Sequence, residues 1–403
     1  MSIDRRTLLS TAVALVPMAS VRVRAQAQDT LKIGVLTDLS GTYSDTSGPT
    51  SVACARQAIQ DYAASRNLKV EVLEGDHQNK PDVGAAIARQ WFDSGVDMIT
   101  DVPNSAVALA VNAIAAEKNK AYLNTGAAST ALTANCPNNT IHWGYNTTML
   151  SSSAGANVKA GGKTWFFVVA DYVFGRDLTE TATQFVNKAG GKVLGSIAYP
   201  FPSTTDFSSY LLQAQASGAD VVAFGNAGAD AVNCVKQAHE FGLATGGKRL
   251  VAMLAFIQVI HSLGLETAQG LLLTESFYWD MNPRTRAFMD RIRSKLGGNC
   301  VSTEQAATYA ATLHYLKAAA DLGIPAAKAS GVATVSRMKA MPTDDDCYGS
   351  ITIRQDGQAM HPAYLFECKT PAQSRGPWDL YNLIATISAE ECNPPPGACK
   401  PAQ

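Results

Sequence analysis

Strand-like and helix-like runs alternate in two successive series along this chain, and that double rhythm restricts the fold more than any other feature of the sequence. In the first series Leu31–Leu36, Val70–Gly75, Asp97–Asp101 and Ala121–Asn124 read as strands. Pro49–Ala64, Lys80–Ser94 and Ala106–Lys118 read as the helices between them, with Val83, Ile87, Ala88 and Trp91 on one face of the second. The second series places strands at Trp165–Ala170, Val193–Tyr199, Asp220–Gly225 and Leu250–Leu254. Its helices are Gly175–Ala189, Phe207–Ser217 (capped by Asp206) and Asp230–Phe241. Alternation of this kind predicts parallel sheets assembled from βαβ units. Two helices follow, Thr285–Leu296 and Ser302–Leu322, and then alternating segments at Tyr348–Arg354 and Ala363–Lys369 that suggest antiparallel strands. Asn393–Gln403 is Pro-rich and is expected to run extended on the surface.

A chain of 403 residues has room for two domains. Apolar residues make up 46% and charged residues 17%, a core-forming balance, and the net charge of −1 provides no field for nucleic acid or an anionic membrane. Residues 1–27 read as a signal peptide: Arg5-Arg6, an apolar run from about Thr7 to Ala19, and an A-x-A ending at Ala25-Gln26-Ala27. The Arg pair ahead of Thr7-Leu8-Leu9, with Arg22 and Arg24 near the cut, points to the twin-arginine route; an ordinary secretory signal is the alternative. Either route implies an extracytoplasmic, periplasmic location. Eight cysteines in an exported chain favour disulfides over zinc, since no C-x-x-C pair occurs. Cys392 with Cys399, and Cys347 with Cys368, are the pairs that local spacing suggests; the other connectivities stay open.

The segment Leu31–Tyr62 reads as a buried strand, a polar loop and a helix starting at Pro49. That order aims a helix N-terminus and several hydroxyls at one point, which suits an anion or a polar head group. No G-x-S-x-G, H-E-x-x-H or G-x-G-x-x-G occurs. Gly162-Lys163-Thr164 resembles the end of a phosphate loop, but Asn157 stands where its first Gly belongs. Asp171, Asp206 and His239 are not spaced to join a nucleophile to a base. Binding therefore outranks catalysis, and nothing asks for a cofactor or a metal.

Several segments together carry a family resemblance: LKIGVLTDLSG, DVPNSAVALAVNAIAAEKN, YLNTGAAST, WFFVVADYVFG and DFSSYLLQAQASGADVVAFGNAG. In order and spacing they resemble the periplasmic solute-binding proteins of the branched-chain amino acid ABC transporter type. The resemblance implies an α/β fold of two Rossmann-like lobes with parallel sheets, joined by a three-segment hinge, with a small-molecule ligand held between them. Lobe 1 is expected at 28–147 plus 276–340, and lobe 2 at 148–275 plus 341–403. It implies a membrane permease as partner, and a monomer. Ligands in open α/β sheets lie beyond the carboxyl ends of strands, so the loops there supply the candidates. From the first lobe these are Tyr43, Ser47, Asn104, Ser105, Ala127 and Ser129. From the second they are Tyr172, Phe174, Asn226 and Phe256. For each Ser or Asn the competing role is a plain helix cap. Relatives of this type usually carry an acid after the strand that reads Leu250–Leu254, to meet a ligand ammonium. Ala255, Phe256, Ile257 and Gln258 stand there instead. The expected ligand is therefore a small organic acid, with an aromatic carboxylate in view. An amino acid, or a sensory role for the same fold, is the alternative.

Overall fold

Leu31–Thr37 forms β1, an inner strand of a five-stranded parallel sheet in the computed structural model, which describes residues 30–397 and 399. The signal-peptide reading of residues 1–27 lies outside the described residues. β2 (Val70–Asp76), β3 (Met98–Asp101), β4 (Ala121–Asn124) and β5 (Thr140–His142) complete this sheet in the order β2-β1-β3-β4-β5. Ile33 of β1 faces Val72 on one side and Met98 on the other. A second parallel sheet has β6 (Thr164–Ala170), β7 (Lys192–Tyr199), β8 (Val221–Gly225) and β9 (Arg249–Ala252) in the order β7-β6-β8-β9. All four residues of β3 and all five of β8 are buried, as strands covered on both faces must be. The edge strand β7 instead alternates between exposed and half-buried positions.

Both sheets reverse strand order beside their first strand. Chain excursions to opposite sides there open a crevice at the strand ends, and this is where α/β sheets bind ligands. The helices that start at these crevices follow from local sequence. α1 (Gly48–Tyr62) opens with Pro49 in its first turn, where a missing N–H costs nothing. α2 (Pro81–Asp93) packs on α3 (Ser105–Glu117), whose cap Asn104 accepts from the N–H groups of Ala106 and Val107. The second sheet carries α4 (Thr147–Lys159), α5 (Val173–Lys188), α6 (Ser208–Ala216), α7 (Gly228–Glu240) and α8 (Ile257–Leu263). Asp206 sits one residue before the cap position of α6 but still accepts from the Ser208 N–H at 2.9 Å.

The chain leaves the first sheet after β5 and enters α4. It returns after β10 (Leu272–Glu275), when α9 (Pro283–Ile292) and α10 (Thr303–Leu322) pack against α1. Sixteen of the twenty residues of α10 are buried, and its small Ala306, Ala307, Ala310 and Ala311 let it lie close to its neighbours. α11 (Gly331–Ala340) packs on α10, and the chain then crosses again. The short hairpin β11 (Thr352–Ile353) and β12 (Ala359–Met360) sits beside β5 through the bridge His142–Gln358. β13 (Ala363–Cys368) pairs antiparallel with both β10 and β14 (Tyr381–Ile387). The expected strand Tyr348–Arg354 shrinks to β11 because Asp345 accepts from the N–H groups of Cys347 and Tyr348 and holds that segment as a turn.

Both suggested disulfides are corrected. Cys399 is bonded to Cys136, 263 residues away in sequence. Cys347, Cys368 and Cys392 are buried thiols, as are Cys54, Cys234 and Cys300. Cys392 turns inward and donates to the His361 carbonyl at 3.4 Å. The tail beyond it is drawn off elsewhere, since the Gly397 N–H donates to Asp356 at 2.9 Å. Cys347 lies in the Asp345 turn rather than on a strand facing Cys368.

Candidate ligand-binding cleft

The loops at the two crevices meet across a narrow cavity with room for little more than a water molecule. Tyr43, Pro103 and Ser105 line it from the first sheet; Tyr172, Phe174 and Ala227 line it from the second. Three long helices, α3, α5 and α7, begin at or beside these residues and point their N-termini toward the cavity. No Lys, Arg or His is among the lining residues. The segment that delivers Ser105 is strained: Asp101 has φ +80° and Val102 has φ +62°. A β-branched residue in that region is a genuine outlier, of a kind that clusters at functional sites and costs on the order of 1–3 kcal/mol.

Of the residues expected from sequence, Tyr43, Ser105, Tyr172 and Phe174 come together on the cavity wall. The other six lie behind it or hold the protein together. Ser47 is buried and donates to the Tyr43 carbonyl at 2.9 Å. Asn104 is committed to capping α3. The N–H and carbonyl of Ala127 are both taken by the Asn124 side chain, and it is Ala128 that faces the cavity. Ser129 donates to Asp177 of α5 at 2.9 Å. Asn226 is buried beside Tyr199 and Cys234 without a well-formed hydrogen bond. Phe256 packs edge-on against Tyr145, ring centres 4.8 Å apart.

Several contacts bridge the cleft. The hydroxyls of Tyr43 and Tyr172 lie 2.7 Å apart, and both rings stack on Phe201. Asp177 accepts from Ser129 and from the Thr130 N–H at 2.9 Å. The Ala229 N–H at the start of α7 donates to the Thr42 carbonyl at 3.0 Å.

Tyr145, Leu254 and Glu304 also line the cavity and were not anticipated. Glu304 matters most. It sits in the first turn of α10, is 1% exposed, and its Oε1 has no hydrogen-bond partner in the protein. Asp101 lies against it, fully buried, with neither carboxylate oxygen in a well-aligned hydrogen bond. Thr37 and Ser51 are close to Asp101 without the alignment to serve it. Burial, with Asp101 beside it, pushes the Glu304 carboxyl well above the ordinary range. Burial likewise raises Asp101 to about 7. Two adjacent carboxyls without a cation do not both ionise, so a proton is shared between them near neutral pH.

The pair makes folding pH-dependent in a defined direction. A carboxyl whose folded pKa is raised binds its proton more tightly when folded, so its contribution is full below the unfolded value near 4 and is lost as pH rises through about 7. Asp101→Asn removes that burden, and Asn tolerates positive φ. We expect the variant's stability relative to wild type to rise by on the order of 2 to 3 kcal/mol between pH 5 and pH 8. Urea unfolding at both pH values measures it; an equal effect at both would contradict a titrating carboxyl at this site.

The model of the periplasmic binding protein family matches residues 30–376. A periplasmic binding protein from Burkholderia mallei superposes with a TM-score of 0.86 at 42% identity, over 91% of this chain and 96% of that one. A branched-chain amino acid ABC transporter periplasmic ligand-binding protein from Burkholderia xenovorans LB400 is 37% identical, with a TM-score of 0.77 over 90% and 96% of the two chains. A solute-binding protein of an ABC transporter from R. palustris, in complex with 4-hydroxybenzoate, shares the fold at 20% identity, with a TM-score of 0.80 over 89% and 97%. No curated protein sequence matches this chain. The match runs from the start of β1 to beyond β13 and spans both sheets and the cleft between them, and this chain belongs to the periplasmic binding protein family.

Proposed function

We propose that this chain is the extracytoplasmic solute-binding component of an ABC uptake system, and that it captures a small organic acid, with aromatic carboxylates the leading class. The observation that carries the reading is the cavity itself. Aromatic rings of Tyr43, Tyr145, Tyr172 and Phe174 surround it, and helix N-termini take the place of basic side chains. A flat apolar body with an anionic end fits both features. The R. palustris protein of the same fold is held with an acid of this kind, 4-hydroxybenzoate. Glu304 favours a second reading, an amino acid, because a buried acid offers an ammonium its counter-charge.

The cleft is too narrow to admit such a solute without moving, so capture works by hinge opening and closure. The lobes that part are residues 28–147 with 276–340 and 148–275 with 341–403, except that the hairpin at 352–360 and Cys399 stay with the first lobe through the His142–Gln358 bridge and the Cys136–Cys399 bond. The ligand stabilises the closed form by touching both lobes, and the closed form docks on the membrane permease. The protein acts as a monomer, after export by the signal at residues 1–27, whose Arg5-Arg6 pair suits the twin-arginine route.

Calorimetric titration of the mature protein with benzoate, 4-hydroxybenzoate, phenylpropanoid acids and leucine tests this. We expect an aromatic acid to bind with micromolar affinity or better. Tighter binding of leucine than of every aromatic acid moves the ligand to the second reading, and silence from all of them overturns the proposal.

A further inference from the structure

Glu304 is a buried acceptor that the protein leaves unsatisfied at the cavity wall. Its Oε1 has no partner, although the side chain is 1% exposed and packed close against Gly126, where an added Cβ would lie 2.7 Å from that oxygen. Asp101 stands behind it. Several polar side chains brought to the cleft from the neighbouring loops have work within the protein: Asn104 caps α3, Ser129 holds Asp177, and Tyr43 and Tyr172 hold each other. Asn226 is unpaired too but does not line the cavity. Glu304 lines it and has only the proton it shares with Asp101.

The cavity wall therefore asks for two things. The Asp101–Glu304 part repels a ligand carboxylate and needs a hydrogen-bond donor. The N-termini of α3, α5 and α7, at Ser105, Tyr172 and Ala227, attract negative charge and offer donors. Where the shared proton resides does not change this, because Oε1 keeps a lone pair for an incoming O–H or N–H in either state. A bare carboxylate satisfies only the second demand and seals the unpaired oxygen against apolar atoms. A site built to hydrogen-bond a ligand donor discriminates strongly against the analogue that lacks it.

We propose that Glu304 is a specificity-determining residue that accepts a hydrogen bond from an O–H or N–H group of the ligand, so that the solute is an organic acid carrying a donor as well as its carboxylate. The inference rests on the reading of this cleft as the solute site and sharpens it.

Matched ligand pairs differing only in the donor test it: 4-hydroxybenzoate against benzoate, and leucine against 4-methylpentanoate. In wild-type protein the donor-bearing member of the pair that binds is expected to be at least tenfold tighter by calorimetry. Glu304→Ala should compress that ratio to about threefold or less while the bare acid still binds. The isosteric Glu304→Gln, which keeps the packing and an acceptor oxygen, should retain most of it and guards against a folding defect in the alanine variant. A wild-type ratio near one overturns the inference, as does a ratio that survives in Glu304→Ala; in both cases the acid-binding function stands. If no member of either pair binds wild type, the reading of the cleft fails first and the inference falls with it.

Discussion

Gly228→Val is expected to weaken ligand binding at least about 100-fold while leaving both sheets folded. Gly228 opens α7 with φ +56°, and a Cβ added there would lie 2.1 Å from the Thr42 carbonyl oxygen. That oxygen already accepts the Ala229 N–H at 3.0 Å. Thr42 belongs to the loop after β1 of the first sheet, whereas α7 follows β8 of the second. The collision thus exists only when the cleft is shut. With the lobes apart, the valine meets water. A penalty confined to the closed form reduces apparent affinity by the fraction of closed protein it removes. A hundredfold loss corresponds to about 2.7 kcal/mol, modest for a backbone contact that valine makes impossible. Calorimetry gives the affinity, and small-angle scattering shows whether added ligand still compacts the protein; the variant should keep its ligand-free radius of gyration. Gly218→Ala is the control. It too has positive φ, at +73°, but nothing lies within 4 Å of its Cβ position, so backbone strain is imposed without a wedge. Wild-type affinity and compaction in Gly228→Val would show that this contact is not part of closure.

What sequence patterning reveals here is what burial dictates locally. Apart from β5 (Thr140–His142), which the sequence reading missed, the strands of both parallel sheets read out within one or two residues of their ends because strands covered on both faces are nearly unbroken apolar runs, as in Val221–Gly225. The first-sheet and second-sheet switch points then follow from strand order, and the loops there bring Tyr43, Ser105, Tyr172 and Phe174 to the cavity. Glu304 was not visible by the same logic. Ser302-Thr303-Glu304-Gln305 reads as a capping box, and Ser302 and Gln305 do form one. Nothing near it in sequence says that the first turn of a helix arriving after both series faces the cleft. Asp101 reads as the last residue of a strand, and its positive φ leaves no mark on the residue type. Asn104 and Ser129 show the converse. A polar side chain in a binding loop advertises hydrogen-bonding capacity, but whether a ligand or the protein uses that capacity depends on neighbours such as Asp177, 48 residues further along the chain.

Reduction of the Cys136–Cys399 bond is expected to cost about 3 kcal/mol of stability, lowering the melting temperature by roughly 5 °C. The bond closes a loop over more than half of the chain, with its ends 263 residues apart, and loop-closure entropy for so long a loop places the upper bound at about 5.5 kcal/mol. The folded state returns part of that. Once the bond opens, few contacts among the described residues hold 393–397. One is the Gly397 N–H to Asp356; another is the Arg354 guanidinium on the Pro394 carbonyl at 2.9 Å. This segment therefore regains freedom in the folded protein that the crosslink denied it. Cys392 is the internal control for the pairing. Its thiol is buried, and burial pushes it up to about 12, far from the thiolate needed to attack a disulfide at neutral pH. Cys136→Ser should therefore reproduce the reduced wild type and be insensitive to further reductant, whereas Cys392→Ser should leave the reductant-sensitive step intact. Differential scanning calorimetry of the three proteins with and without dithiothreitol reads this directly. If Cys392→Ser abolished the step instead, the tail would be closed locally and the long crosslink would not exist.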